Sequence, residues 1–266
     1  MKQYLSGLKH ILDNGTDIEG RNGKTRSIFG MQMHYNLEDG FPAVTTKKLA
    51  FNVVKGELLG FLRGYNHIKQ FHRLGVRIWD ANAEAWGKDG QLGRMYGVQW
   101  RSWKSYQGEL IDQIDNVIKQ IKKDPYSRRH IVTSWNPGEL DNMALAPCHV
   151  LFQFNVADGK LSLGLYQRSA DMFLGAPFNI ASYSLLLCMI AKITDLEPGT
   201  FIHTLGDAHI YHDHFKQVKM QLERTPLPLP QLIFNSYIRS IDNFKSHHIE
   251  LINYKHHDAI KAKMIV

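Results

Sequence analysis

Helical and strand patterns interleave along all 266 residues, which predicts an α/β (α+β) protein. Three observations carry that reading. Apolar residues recur at helical spacing in several segments, and short β-branched and aromatic runs stand between them. No linker, internal repeat or low-complexity stretch divides the chain, so one domain over residues 1–266 is expected, long enough to bury a sizeable core.

Tyr4, Leu5, Leu8, Ile11 and Leu12 mark a first helix, which Asn14-Gly15 stops. The loop Gly20-Arg21-Asn22-Gly23-Lys24-Thr25 has two readings. Asn-Gly favours a solvated hairpin turn, while Arg21 with flanking glycines could grip a phosphate. Residues 27–37 alternate loosely as a strand before the turn Glu38-Asp39-Gly40. A helix follows over 52–62, mostly apolar on one face, with Glu57 at the margin. A carboxyl group there is commonly solvated, but one drawn into a pocket would hold its proton more tightly and could act as a general acid. Residues 67–74 read as a short helix, 76–80 as a short strand containing Trp79, and the next dozen residues as loop. The stretch 91–100, with Tyr96, is punctuated by glycine and rich in aromatic residues, suited to loop packing or to stacking a flat ligand.

Ile111, Ile114, Val117, Ile118 and Ile121 mark a helix ended by Asp124-Pro125. Arg128 and Arg129 then lie between that helix and a strand over 131–135. Paired arginines are usually solvated, but such junctions also make anion grips. The centre of the chain is Leu145-Ala146-Pro147-Cys148-His149-Val150-Leu151-Phe152-Gln153-Phe154. Pro147 suits the start of a strand and not its middle, so Cys148 falls at a strand edge, where a thiol can meet a pocket. A free cysteine is more often a small core hydrophobe, and the case for chemistry rests on its neighbours. After the turn Ala157-Asp158-Gly159-Lys160, a strand over 161–169 returns Arg168 and Ser169 alongside Cys148. A long apolar helix spans 178–194, with Asn179 at its start. Asp207, His209 and Tyr211 alternate, a helix covers 214–222, and Leu227-Pro228-Leu229-Pro230 is a stiff connector.

The formal charge of +7, from 32 Lys+Arg against 25 Asp+Glu, favours anionic partners. The cations are scattered and form no block, so small phosphorylated or carboxylated substrates fit as well as nucleic acid does. Two cysteines, Cys148 and Cys188, are too few for a disulfide framework and suit a reducing compartment. The N-terminal segment lacks the apolar core of a signal peptide, and the longest apolar run, 185–191, is too short to span a bilayer. A cytoplasmic protein is expected.

The chain resembles the folate-dependent thymidylate synthase family. The resemblance rests on Asp39-Gly40-Phe41-Pro42, Thr45-Thr46-Lys47, Glu57-Leu58-Leu59, Ile78-Trp79-Asp80, Ser127-Arg128-Arg129, Trp135-Asn136, Ala144-Leu145-Ala146-Pro147-Cys148-His149, Tyr166-Gln167-Arg168-Ser169, Phe178-Asn179-Ile180-Ala181-Ser182-Tyr183 and Gly206-Asp207-Ala208-His209-Ile210-Tyr211. So many segments in one order are far more specific than any one motif. The resemblance implies a large mixed sheet with flanking helices, and a homodimer whose sheets pack face to face. It implies conversion of dUMP to dTMP, with 5,10-methylenetetrahydrofolate as co-substrate and dihydrofolate as product.

The same resemblance assigns roles. Cys148 would add to C6 of uracil and so make C5 nucleophilic. Arg168 would lower the thiol pKa and bind phosphate together with Arg21 and Ser169, while Arg128 and Arg129 reach in from the other subunit. Asn179 would read the uracil N3 and O4 edge, and His209 and Tyr211 would hold the deoxyribose hydroxyl. Glu57 would act through water, and Tyr96 would assist removal of the C5 proton. Trp79, Asp171 in a loop near the pterin, and the carboxylate end at Val266 would serve the folate. The chain departs from the family pattern at Gly60 and Asn82, where tryptophan is common, at Arg94, where proline is, at Ala170, where cysteine is, and in the Gly20-Arg21-Asn22-Gly23 loop. These departures keep a rival in view, a pyrimidine-nucleotide hydroxymethylase of the same fold. A second rival is an RNA-binding protein gripping a phosphodiester chain in a basic cleft, which no cluster of cations supports.

Overall fold

The computed structural model describes residues 1–20 and 22–265. Arg21 and Val266, both expected at the site, lie outside the described residues. In chain order the elements are α1 (Lys2–Asn14), β1 (Thr16–Gly20), β2 (Gly23–Asn36), α2 (Phe51–Leu62), α3 (Ile68–His72), α4 (Asp80–Trp86), α5 (Gly97–Ser102), β3 (Trp103–Lys104), β4 (Leu110–Ile111), α6 (Gln113–Lys123), β5 (Ile131–Thr133), β6 (His149–Ala157), β7 (Lys160–Asp171), α7 (Gly175–Ile193), β8 (Glu197–Tyr211), α8 (Phe215–Leu222), β9 (Gln231–Phe234) and β10 (Ile249–Ile252).

The helices form where their periodicity allows one face to be buried. In α6 the side chains of Ile114, Val117, Ile118 and Ile121 are buried on one stripe, and the Asp112 carboxylate accepts the Asp115 N–H at 2.9 Å as the N-terminal cap. Lys122 and Lys123 in the last turn suit the negative end of the helix dipole. By contrast, α7 is apolar all round and long enough to cross a bilayer, yet nearly all of it is buried in the protein interior. It packs on both β7 and β8 and joins them, as a parallel pair requires a crossover.

One six-stranded sheet, ordered β1-β2-β8-β7-β6-β5, carries the fold. Among the described residues only β7–β8 is parallel, so the sheet is mixed, as expected. Along β7, Leu161, Leu163, Leu165 and Gln167 are buried, whereas Ser162, Gly164 and Tyr166 are more open. Exposed apolar side chains on the sheet include Phe29 at 84 %, Ile131 at 47 % and Tyr166 at 37 %.

The register decides where the site is. His149 stands opposite Gln167, Ser169 opposite Asp207, Asp171 opposite His209, and both Ser27 and Thr25 pair with the end of β8 at His209 and Tyr211. The start of β6, the ends of β7 and β8 and the beginning of β2 therefore meet at one margin of the sheet. Open α/β sheets bind ligands at the carboxyl ends of their parallel strands, and here two such ends coincide.

Two local expectations are corrected. Residues 76–80 are not a strand, and the following stretch is not loop: Asp80 opens α4, and Gly87, at φ +69°, closes it by donating to the Ala83 and Glu84 carbonyls. Its alanines and its glycine cap were the overlooked signal. Asp171 is not in a loop either. It is the last residue of β7, and its carboxylate accepts the N–H groups of Phe173 and Leu174 at 2.9 and 3.1 Å, turning the chain into α7.

Candidate active site

Cys148 sits half-buried between Pro147 and the first residue of β6, beside a shift of register between His149 and Leu151. Its N–H donates to the Tyr96 hydroxyl at 2.9 Å, and its carbonyl accepts the Arg168 N–H at 2.9 Å. The Arg168 guanidinium donates from Nε to the Pro147 carbonyl at 2.9 Å and from Nη2 to the Ala146 carbonyl at 2.8 Å, so the cation grips the approach to the thiol. Burial pushes the Cys148 thiol above its ordinary value, while the Arg168 charge and the Tyr96 hydroxyl act against it. The expected lowering by Arg168 is thus present but outweighed, because the thiol has lost more water than one neighbouring cation replaces.

Tyr96 precedes α5 with φ +34° and ψ −100°, a conformation that costs a non-glycine residue and that a firm surrounding must hold. Its ring stacks on Phe61 at 5.0 Å and lies 5.1 Å from His149. Burial pushes its phenol well above the ordinary value, so the hydroxyl stays protonated.

Glu57 is buried in α2, not at a wet margin. Burial raises its pKa to about 7, against a weaker pull from the adjacent Trp79 indole, whose N–H completes no hydrogen bond of good geometry. Trp79 is buried with its ring 6.1 Å from Phe61 and 5.8 Å from Tyr96. One aromatic cluster therefore links Trp79 to Tyr96, the residue whose hydroxyl contacts the Cys148 amide.

Asn179 lies within the first turns of α7, not at its cap. Its Oδ1 accepts the Gln167 Nε2 at 3.0 Å, which also donates to the Ser169 carbonyl at 2.9 Å. The other end of that amide, Oε1, lies 2.8 Å from Nε2 of His203. Burial holds His203 down to about 3, so its ring is neutral and can donate to Gln167. The sequence reading missed Gln167 and His203. Together they fix the Asn179 carbonyl, while the Asn179 side chain also hydrogen-bonds His149.

His209 and Tyr211 meet with ring centroids 5.2 Å apart at the end of β8. Nδ1 of His209 lies 2.9 Å from Asp207, whose carboxylate also accepts the Ser27 hydroxyl at 2.9 Å. Arg128 and Arg129 stand apart from this group, exposed on the segment between α6 and β5.

Beside Arg168 opens a cleft of about 620 Å³ lined by Asn22, Asn82, Ala85, Trp86 and Ala144 to Ala146. Its size suits a small organic ligand. Trp86 joins the lining because the segment expected to be loop is the helix α4. Lys47, too, is more than a motif residue. Its amine donates to the Phe173 carbonyl and lies 3.7 Å from that ring, and burial lowers it to about 7 against the charge of Asp171.

A thiol, a buried protonated carboxyl, a protonated phenol, an oriented amide and a cation thus share one sheet margin, an arrangement fit for covalent addition to an electron-poor ring. The family model for thymidylate synthase matches residues 2–266, essentially the whole chain. The chain therefore belongs to the thymidylate synthase family, enzymes of the methyltransferase type.

Proposed function

We propose that this protein reductively methylates dUMP to dTMP, with 5,10-methylenetetrahydrofolate as donor and dihydrofolate as the second product. The observation that carries the reading is the position of Cys148, backed by Arg168 on the adjoining strand and by Tyr96 on its amide. The Cys148 sulfur would bond to C6, moving the electron pair of the C5–C6 double bond toward C5 and O4. Asn179 would read the N3 and O4 edge, its amide nitrogen donating to O4, where that charge gathers, and its carbonyl accepting N3–H. Glu57, protonated near neutrality, can deliver a proton to O4 through water. Tyr96, kept neutral, would relay the C5 proton away before sulfur leaves C6. Arg168 and Ser169 would hold the phosphate with Arg21, and His209 and Tyr211 the sugar hydroxyl.

The folate supplies the one-carbon unit and the hydride. The cleft beside Arg168 fits its flat ring in size and lining, with Trp79, Trp86 and Asp171 nearby on the elements that frame it. Arg128 and Arg129, exposed and remote from their own Cys148, fit service to the partner in a homodimer. Two unpaired cysteines fit a cytoplasmic setting.

The test is the mass of the nucleotide product from dUMP and methylenetetrahydrofolate. A methyl group is expected, and Cys148→Ser should lose nearly all turnover. A hydroxymethyl product would replace this reading with the hydroxymethylase, and turnover by the serine variant equal to that of the native protein would remove Cys148 from its role.

A further inference from the structure

Arg94, two residues before Tyr96, is left unused by the roles proposed above. Its Nε lies 2.8 Å from each oxygen of Glu139, and its Nη2 donates to the Ser102 carbonyl at 2.7 Å. Glu139 also accepts the Gln99 amide at 2.8 Å and the Asn136 amide at 3.2 Å, and the Gln99 amide donates further to the Arg94 carbonyl at 2.7 Å. The pair is largely shielded, with 21 % and 14 % of the two side chains exposed. Burial tends to raise the Glu139 pKa, but the Arg94 and Gln99 hydrogen bonds and the Arg94 charge bring it below its ordinary value. The carboxylate is therefore ionised across the neutral range.

The backbones on either side are zipped together as well. Arg94 N–H donates to the Asn142 carbonyl at 3.0 Å, and Ala144 N–H to the Leu92 carbonyl at 3.0 Å. Gly93 bridges Met143 between them at φ +73°, and a Cβ there would come within 2.0 Å of the Asn142 oxygen. Two residues beyond Arg94 is Tyr96, and four beyond Ala144 is Cys148. The strained Tyr96 and the reactive Cys148 thus emerge side by side from one stapled unit, and their own hydrogen bond closes it.

We infer that the Arg94–Glu139 pair is a clasp that holds Tyr96 in its costly backbone conformation against the Cys148 amide, so that both are positioning residues for the nucleophile. The inference rests on Cys148 being that nucleophile. Around the unit stand Lys104, on the Glu139 side, and Arg168, His149, Tyr183 and Glu57, around Tyr96 and Cys148. A Tyr96 released from the clasp no longer stabilises the thiolate, whereas Arg168 remains where it is.

The test uses full-length protein with Arg94→Met, Glu139→Gln and Arg94→Lys. The first readout is the pH profile of iodoacetamide alkylation at Cys148, followed on the Cys148 peptide by mass spectrometry. The second is the split between kcat and KM with dUMP. Arg94→Met and Glu139→Gln should move the alkylation profile to higher pH and lower kcat about tenfold, with KM for dUMP within about twofold of the native value. Arg94→Lys, which keeps the charge but loses the fork, should fall between. If Arg94→Met does not fold, Glu139→Gln, which keeps an acceptor for Arg94, carries the test. Folded variants with native alkylation profiles and native kcat would overturn the clasp. Failure of the native protein to turn over dUMP would count against the proposed function alone, because alkylation needs no turnover.

Discussion

Glu57 holds its proton to about pH 7 because its burial in α2 disfavours the charged carboxylate. Unfolded, the same carboxyl ionises near the ordinary glutamate value of 4.5. Between these values the folded state binds more protons than the unfolded one, so stability falls as pH rises from about 4.5 to about 7 and then levels off. The shift corresponds to about 3 kcal/mol. Glu57→Gln should remove that slope, making the variant relatively more stable than the native protein at pH 8 than at pH 5. Urea unfolding at the two pH values checks it, and parallel curves for both proteins would show that Glu57 is not the buried acid. Cys188, by contrast, is buried with its thiol pushed up to about 12, as expected of an inert core cysteine. At Gly60 there is no room for a side chain: a Cβ there would meet the Phe71 ring at 2.3 Å, so Phe71 fills the space.

At the scale of elements, α4 changes the view of the cleft. Asn82, Ala85 and Trp86 fall at helical spacing and line it together. An aromatic face absent at position 82 is thus supplied one turn later by Trp86, with Lys88 4.1 Å from its ring. Trp86→Ala should raise KM for methylenetetrahydrofolate about tenfold through lost ring contact while leaving KM for dUMP nearly unchanged. Steady-state kinetics with each substrate varied in turn would show it. Equal loss for both substrates would mean that α4 merely supports the fold.

At the scale of the molecule, the open sheet positions and the two exposed arginines belong to one question. Phe29, Ile131 and Tyr166 present apolar surface on the sheet, which a second copy of the chain could cover. Arg128 and Arg129 would then serve the partner's phosphate. Dimers of Cys148→Ser and of Arg128→Glu with Arg129→Glu, each inactive, should regain activity when their subunits exchange, since a mixed dimer contains one intact site. Mixed dimers that are demonstrably present yet inactive would assign the arginines to their own subunit.

Much of this was determined by the sequence alone. Local signals were enough for the amphipathic helices, for the hairpin that returns Arg168 to Cys148 and for the start of β6 at Pro147, because periodicity, turn residues and proline act within a few positions of themselves. The ordered motifs were enough for the family. Only the tertiary structure decided the protonation of Glu57, the orientation of the Asn179 amide by Gln167 and His203, the strain at Tyr96 and the pairing of Arg94 with Glu139. Each of these depends on groups well separated in sequence meeting where water is excluded. Burial and partner, not residue type, set the charge and direction of a polar side chain, and both are properties of the packed whole.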